Sequence, residues 1–179
     1  MATVFSPGFY VGAKGDTVKG EIQTNPEDPT DFYKQFMFKA NGKGKPAAIA
    51  PQKARSYGFE DKVFAVGKVD GEEKYMERLC TGRLNFFEYR FNGKVNGNPG
   101  IETDYYIQDN RAEGKDAASL KEISKLHRTF YKKDLKAYMK DQNMIWDGID
   151  KHVFNKMSII NSINEFNKIY APAEEPKEE

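Results

Sequence analysis

Residues 72–91, EEKYMERLCTGRLNFFEYRF, constrain the fold more than any other stretch of the chain. They read as two long strands joined by a tight turn at Thr81-Gly82. In the second strand Leu84 and Phe86 point one way, while Phe87, Tyr89 and Phe91 point largely the other. Side chains alternate faces along a strand, so apolar bulk on both faces predicts a strand covered on both sides. A hairpin of this kind belongs at the centre of a sheet.

The segments before it carry the same period. Residues 8–24, GFYVGAKGDTVKGEIQT, predict a hairpin with its turn at Lys14-Gly15-Asp16, because Phe9 and Val11, then Val18 and Ile22, alternate around turn-forming residues. Residues 25–30, NPEDPT, are a loop by composition. Phe36 and Phe38 predict a third strand over 35–40, ended by the glycine-rich turn 41–45. Between Pro46 and Asp70, AAIA is followed by a turn at Pro51-Gln52 and then by two strands around Glu60-Asp61, and Asp70-Gly71 leads into the central hairpin. Residues 92–100 read as a flexible connection, with a last strand near 102–108 containing Tyr105, Tyr106 and Ile107.

After residue 108 the period changes. Ser119 and Glu122 have the spacing of a capping box, with Leu120, Ile123 and Leu126 following, in a segment that reads equally as extended. Tyr131, Leu135, Tyr138 and Met139 form one helical stripe, and Ile159, Ile160, Ile163, Phe166 and Tyr170 form another. Asp141 between them is expected to cap a short helix presenting Met144, Ile145 and Ile149. The end, APAEEPKEE (171–179), reads as a disordered acidic tail. Strands first and helices later predict a single α+β domain over 1–170, with the sheet at about 8–108 and helices at about 117–170. The expected architecture is a twisted antiparallel sheet of about seven or eight strands, curled toward a half-barrel and followed by C-terminal helices.

Composition narrows the function classes. Lys and Arg total 28 against 27 Asp and Glu, so the chain has no long-range field of one sign to draw nucleic acid or an acidic membrane. Aromatic residues alternate with cations in RSYGFEDKVF, GRLNFFEYRF and HRTFYKK, but Glu60, Glu77 and Glu88 are interleaved with them, which suits charged outer positions on amphipathic strands. No apolar run is long enough for a membrane span, and residues 1–9 lack the basic and apolar regions of a signal peptide. The start is therefore expected to be either that of a cytosolic protein or a substitute for a removed leader.

Motifs for chemistry are sparse. NGKGKP lacks the spacing of a phosphate loop, no Gly-x-Ser-x-Gly elbow occurs, and 141–146 put Ile and Trp where a calcium loop needs a ligand and a glycine. The single cysteine, Cys80, reads as a small buried hydrophobe, and pairing it with His127 or His152 would require activation that an ordinary strand cysteine lacks. His127 and His152 show no metal-ligand spacing, and adjacent acids such as Glu72-Glu73 and Glu27-Asp28 read as solvated. No catalytic, cofactor-binding or metal-binding residue is assigned.

GFYVGAKGDTVKGEI resembles the opening of a large family of secreted or envelope proteins of Bacteroidota, in which a Gly-Asp-Thr-x-x-Gly hairpin begins the mature chain. The similarity continues through Tyr57-Gly-Phe59, YMERLCTGRLNFFEY, DYYI, LKAYMKD and INEFNKIY, covering most of residues 8–170. That family has no assigned reaction, ligand or catalytic set, so no residue role carries over. What the resemblance implies is an extracytoplasmic protein. Three functions are then expected to compete. The first is a non-catalytic binding module for another protein, a glycan or an apolar small molecule, marked by an exposed aromatic patch among Tyr10, Tyr33, Tyr57 and Tyr105. The second is a hydrolase pairing His127 or His152 with a carboxylate in a shielded cleft. The third is a structural subunit with an uncovered strand edge. Oligomeric state is left open.

Overall fold

The structure is a computed structural model and describes residues 2–40, 44–110, 122–151 and 155–170. Ten strands are described: β1 (Phe5–Gly12), β2 (Thr17–Gln23), β3 (Phe36–Ala40), β4 (Ala47–Ile49), β5 (Ala54–Phe59), β6 (Lys62–Val69), β7 (Glu72–Cys80), β8 (Leu84–Val95), β9 (Asn98–Asp109) and β10 (Ser124–Leu126). They form one open antiparallel sheet in the order β10-β9-β8-β7-β6-β5-β1-β2-β3-β4. Three helices follow: α1 (Tyr131–Tyr138), α2 (Trp146–Asp150) and α3 (Lys156–Ile169). The chain is thus α+β. Packing divides it into two compact units, one of residues 1–78 with 87–104 and one of residues 79–86 with 105–179.

In the first unit β1 is the joining strand. It pairs with β2 on one side, with Gly8 opposite Gly20, and with β5 on the other, with Tyr10 opposite Tyr57. The Gly-Asp-Thr-x-x-Gly pattern has two separate physical uses here. Gly15 turns the hairpin at φ 88°, a left-handed conformation that favours glycine. Gly20 makes room for a ring, since a Cβ there would lie 2.4 Å from Cζ of Phe38. The core of this unit is aromatic. Tyr57 lies between Phe36 (centroids 4.1 Å, 23°) and Phe64 (4.7 Å, 4°), with Tyr75 edge-on at 4.8 Å. Their polar tips are satisfied as buried phenols require: Tyr75 donates to the Ala54 carbonyl at 2.7 Å, and Tyr57 donates to the carbonyl of Phe32.

The second unit buries Cys80, Leu84, Phe86, Ile107 and Leu126 from strands, together with Leu135, Met139, Ile149, Ile159, Ile163 and Phe166 from the helical segments. Both helical stripes read from the sequence therefore face this core. Asn155 caps α3, its side chain accepting from the Ser158 N–H at 2.8 Å. The far end of α3 is tied by Asn167. Its side chain accepts from the Leu84 N–H (2.9 Å) and donates to the Leu84 carbonyl (2.8 Å), completing a strand start as a neighbouring peptide would. Gly82 permits this approach, for a Cβ there would meet Cγ of Asn167 at 2.6 Å. Beside it the Arg83 guanidinium stacks 3.6 Å over the Tyr170 ring and pairs with Asp141 at 3.5 Å.

Several sequence expectations change. Residues 92–100 are not a flexible connection but the two arms of a hairpin, with Asn96 and Gly97 both at positive φ (52° and 80°). Asn-Gly is the pair that a two-residue turn of this hand favours, and the surrounding Asn and Gly residues hid the strand signal. The sheet runs from Phe5 to Leu126 with ten strands, and β10 falls inside the range expected to be helical. Asp141 caps no helix, because it instead accepts from the Tyr170 hydroxyl and pairs with Arg83. Met144 is 89% exposed rather than turned to the core. Within 25–30 the last two residues begin a 3-10 helix, Pro29–Tyr33. Ser119, His152 and the tail 171–179 lie outside the described residues.

Replacing Asn167 with Ala strips both hydrogen-bond partners from the buried backbone of Leu84, so Asn167→Ala is expected to cost about 2–4 kcal/mol in a urea unfolding titration. A loss below about 0.5 kcal/mol, the size of an ordinary surface change, would show that the clamp is not needed.

Candidate functional site

A recess of about 310 Å³ in the first unit is built around the 3-10 helix Pro29–Tyr33. Gln23 at the end of β2, Glu27, Asp31, Phe32, Gln35 and Phe36 line it. Proline at the helix start and Asp28 as its cap explain why this segment coils: Asp28 Oδ1 accepts from the Thr30 N–H (2.9 Å) and hydroxyl (2.7 Å). The other oxygen accepts from Asn92 at 2.7 Å, tying the helix to β8. The Asp31 carbonyl then accepts from both the Lys34 and Gln35 N–H groups, closing the turn.

The walls are fixed from several directions. The Phe32 carbonyl takes the Tyr57 hydroxyl, and its ring packs on Phe59 (5.4 Å) and Phe64 (5.8 Å, 26°). Asn25 holds the adjoining loop to the N-terminal segment, accepting from Val4 N–H at 2.7 Å and donating to the Ala2 carbonyl at 2.9 Å. Gln23 donates to the Asn25 carbonyl at 3.4 Å. Asp31 pairs loosely with Lys34 at 3.6 Å, an exposed contact of little strength. The recess therefore offers aromatic side chains, two carboxylates and two amides, and among the described residues no lysine, arginine or histidine lines it.

A second recess, about 570 Å³, lies in the other unit and is lined by Asp109, Lys125, His127, Asp134, Tyr138 and Lys140. Burial raises the Tyr138 phenol above its usual pKa, and the Asp134 and Asp109 charges add to this. His127 is exposed, and among the described residues no hydrogen bond joins its imidazole to a carboxylate. Among the described residues His127 therefore forms no shielded pair of the kind expected of a hydrolase, and His152 lies outside them. Cys80 is 3% exposed, its thiol donates to the Ile160 carbonyl at 3.9 Å, and burial pushes its pKa up to about 12, the opposite of activation. The buried carboxylate Glu88 is paired with Arg90 Nε at 2.9 Å. Among the described residues no three His, Cys, Asp or Glu side chains gather to hold a metal ion, and no helix is long and apolar enough to cross a membrane.

The exposed patch expected among four tyrosines is not present. Tyr33 and Tyr57 are buried, Tyr10 is half-buried with its ring edge-on to Phe38 at 4.8 Å, and Tyr105 is half-buried and stacked on Phe86 at 5.4 Å. Beside the buried Phe36, the half-buried Phe32 lines the recess of the first unit. Sequence reading missed it because 25–30 looked like plain loop, although Asp28-Pro29-Thr30 was already a cap-and-proline start signal. The sheet edges, β4 and β10, are three residues each and offer a short template for a neighbouring chain. In comparisons with known proteins, no family model, no curated protein and no solved structure matches the chain.

Two outcomes follow from these groups. The hydrogen bonds from Thr30, then Asn92 and the Lys34 charge, hold the Asp28 carboxyl below its ordinary 3.8. Its contribution to the recess wall is therefore complete above that value and fades as pH falls through the lower, folded one. Amide shifts of Thr30 and Asn92 should titrate with a midpoint below 3.8, and a midpoint above it would contradict the cap. Cys80 should resist thiol reagents in the folded protein and react at the rate of unfolding, whereas rapid labelling without denaturant would contradict its burial.

Proposed function

We propose that the protein is a non-catalytic binding module working in the envelope or as a secreted protein, in line with the Bacteroidota family that its turn pattern resembles, and that its ligand sits in the recess around Phe32. The observation that carries this reading is the set of hydrogen bonds that hold the recess walls: the Asp28 cap, the Tyr57 hydroxyl and the Asn25 tether. Prearranged concave sites with an aromatic surface and a few fixed polar groups are the usual form of small-ligand recognition. A protein surface, a glycan or an apolar small molecule are the partner classes in view.

A hydrolase reading draws on His127, Asp109 and Asp134 lining one recess. It ranks second because the exposed imidazole lacks the carboxylate orientation that general acid–base catalysis uses.

The location half of the proposal is tested by recovering the protein from its native cell, fraction by fraction, with intact mass and N-terminal sequencing. Recovery from the envelope or medium with a processed N-terminus is the expected result. Recovery from the cytosol with Met1 or Ala2 at the N-terminus would overturn it.

A further inference from the structure

We infer that the recess around Phe32 receives a sugar unit without an acidic group, such as the terminal hexose or amino-hexose of a glycan. This rests on the reading of the protein as a binding module and names the ligand class of that site. A hexose ring has two chemically distinct surfaces, a face of C–H groups and an edge of hydroxyls that each donate and accept. The recess has the matching pair. Phe32 supplies an aromatic surface, with Pro26 and Met37 extending the apolar side. Gln23, Glu27, Asp31 and Gln35 supply the polar side, and all four end in planar groups. A planar amide presents an acceptor beside two donors, and a carboxylate presents two acceptors, so each can address neighbouring hydroxyls in one plane.

The same groups disfavour the other ligand classes. An apolar molecule filling the recess would take water from these carboxylates and amides and offer them no hydrogen bond in return, at a cost of roughly 1–3 kcal/mol for any group it fully buries. An anionic ligand would meet Glu27 and Asp31; Lys34, 3.6 Å from Asp31, offsets that carboxylate in part, while among the described residues no ion pair offsets Glu27. The volume of about 310 Å³ stands at the small end of the roughly 300–1,000 Å³ typical of ligand sites, which suits a terminal sugar better than an extended chain. The walls are held by the Tyr57 hydroxyl and the Asp28 cap, so a small ligand need not supply the free energy of ordering the loop.

The test is an amide-shift titration of the isotope-labelled full chain with methyl β-glucoside, N-acetylglucosamine, glucuronate and, as an apolar probe, benzyl alcohol. Saturable shifts confined to residues 23–37 with at least one of the two neutral sugars, and glucuronate weaker by about tenfold or more, are the expected result. Gln35→Ala and Glu27→Ala alter exposed side chains and leave the fold intact, and each should weaken the sugar by roughly tenfold, the loss of one hydrogen-bonding group. Phe32→Ala should abolish the shifts. Should that variant unfold, the two exposed variants decide alone. Response to benzyl alcohol but to neither neutral sugar would overturn the sugar assignment and leave the binding module standing. Glucuronate binding as tightly as the neutral sugars, shifts confined to residues 125–140, or no response to any probe would each overturn it as well. The location of the protein is read separately, by fractionation.

Discussion

The sheet unit depends on where the Tyr57 side chain goes. Its ring fills the centre of an aromatic stack between Phe36 and Phe64, and it is fully buried. A phenol in that position must find an acceptor, because an unpaired hydroxyl in an apolar core loses its water without compensation. The acceptor is the backbone carbonyl of Phe32. One bond therefore couples the interior of the sheet to the 3-10 helix that shapes the recess. The same contact leaves Phe32 with one side on Phe59 and Phe64 while its ring also lines the recess.

Close approach is the second recurring device, and it explains glycines that turn chemistry alone does not. Gly20 admits the Phe38 ring and Gly82 admits the Asn167 side chain. In the helical unit this lets one amide replace the peptide partner that Leu84 lacks, while Arg83 beside it stacks on Tyr170. In each case the missing Cβ leaves room for a neighbouring side chain to come close. Cys80 belongs to the same packing, as a small apolar group held among helical and strand residues.

The two recesses differ in chemical character. The one in the helical unit mixes acids, lysines and an exposed histidine, so opposite charges there can screen one another. The one around Phe32 combines aromatic and apolar side chains with two carboxylates and two amides, and among the described residues no cationic side chain lines it. The capped turn at Asp28 holds these groups in place.

Much of the fold was written in local pattern. The period-two runs of 8–24, 36–40, 54–69 and 72–91, with their turns, and the helical stripes at 131–139 and 159–170, required only alternation, glycine and caps to read. Alternation fails where composition imitates a loop, and so 92–100 was misread although Asn96-Gly97 is a hairpin signal. It also fails where a residue answers a distant partner, as Asp141 answers Arg83 and Tyr170 instead of capping a helix. By itself the sequence determined the α+β class and the central hairpin, because those depend on residues near one another in the chain. Only the tertiary structure decided that β1 pairs with β5, that Tyr33 and Tyr57 are buried while Tyr10 and Tyr105 are half-buried, and that Phe32 joins Gln23 and Gln35 around a recess. These features depend on hydrogen bonds and ring contacts between distant positions, such as Tyr57 with Phe32, which no local period encodes.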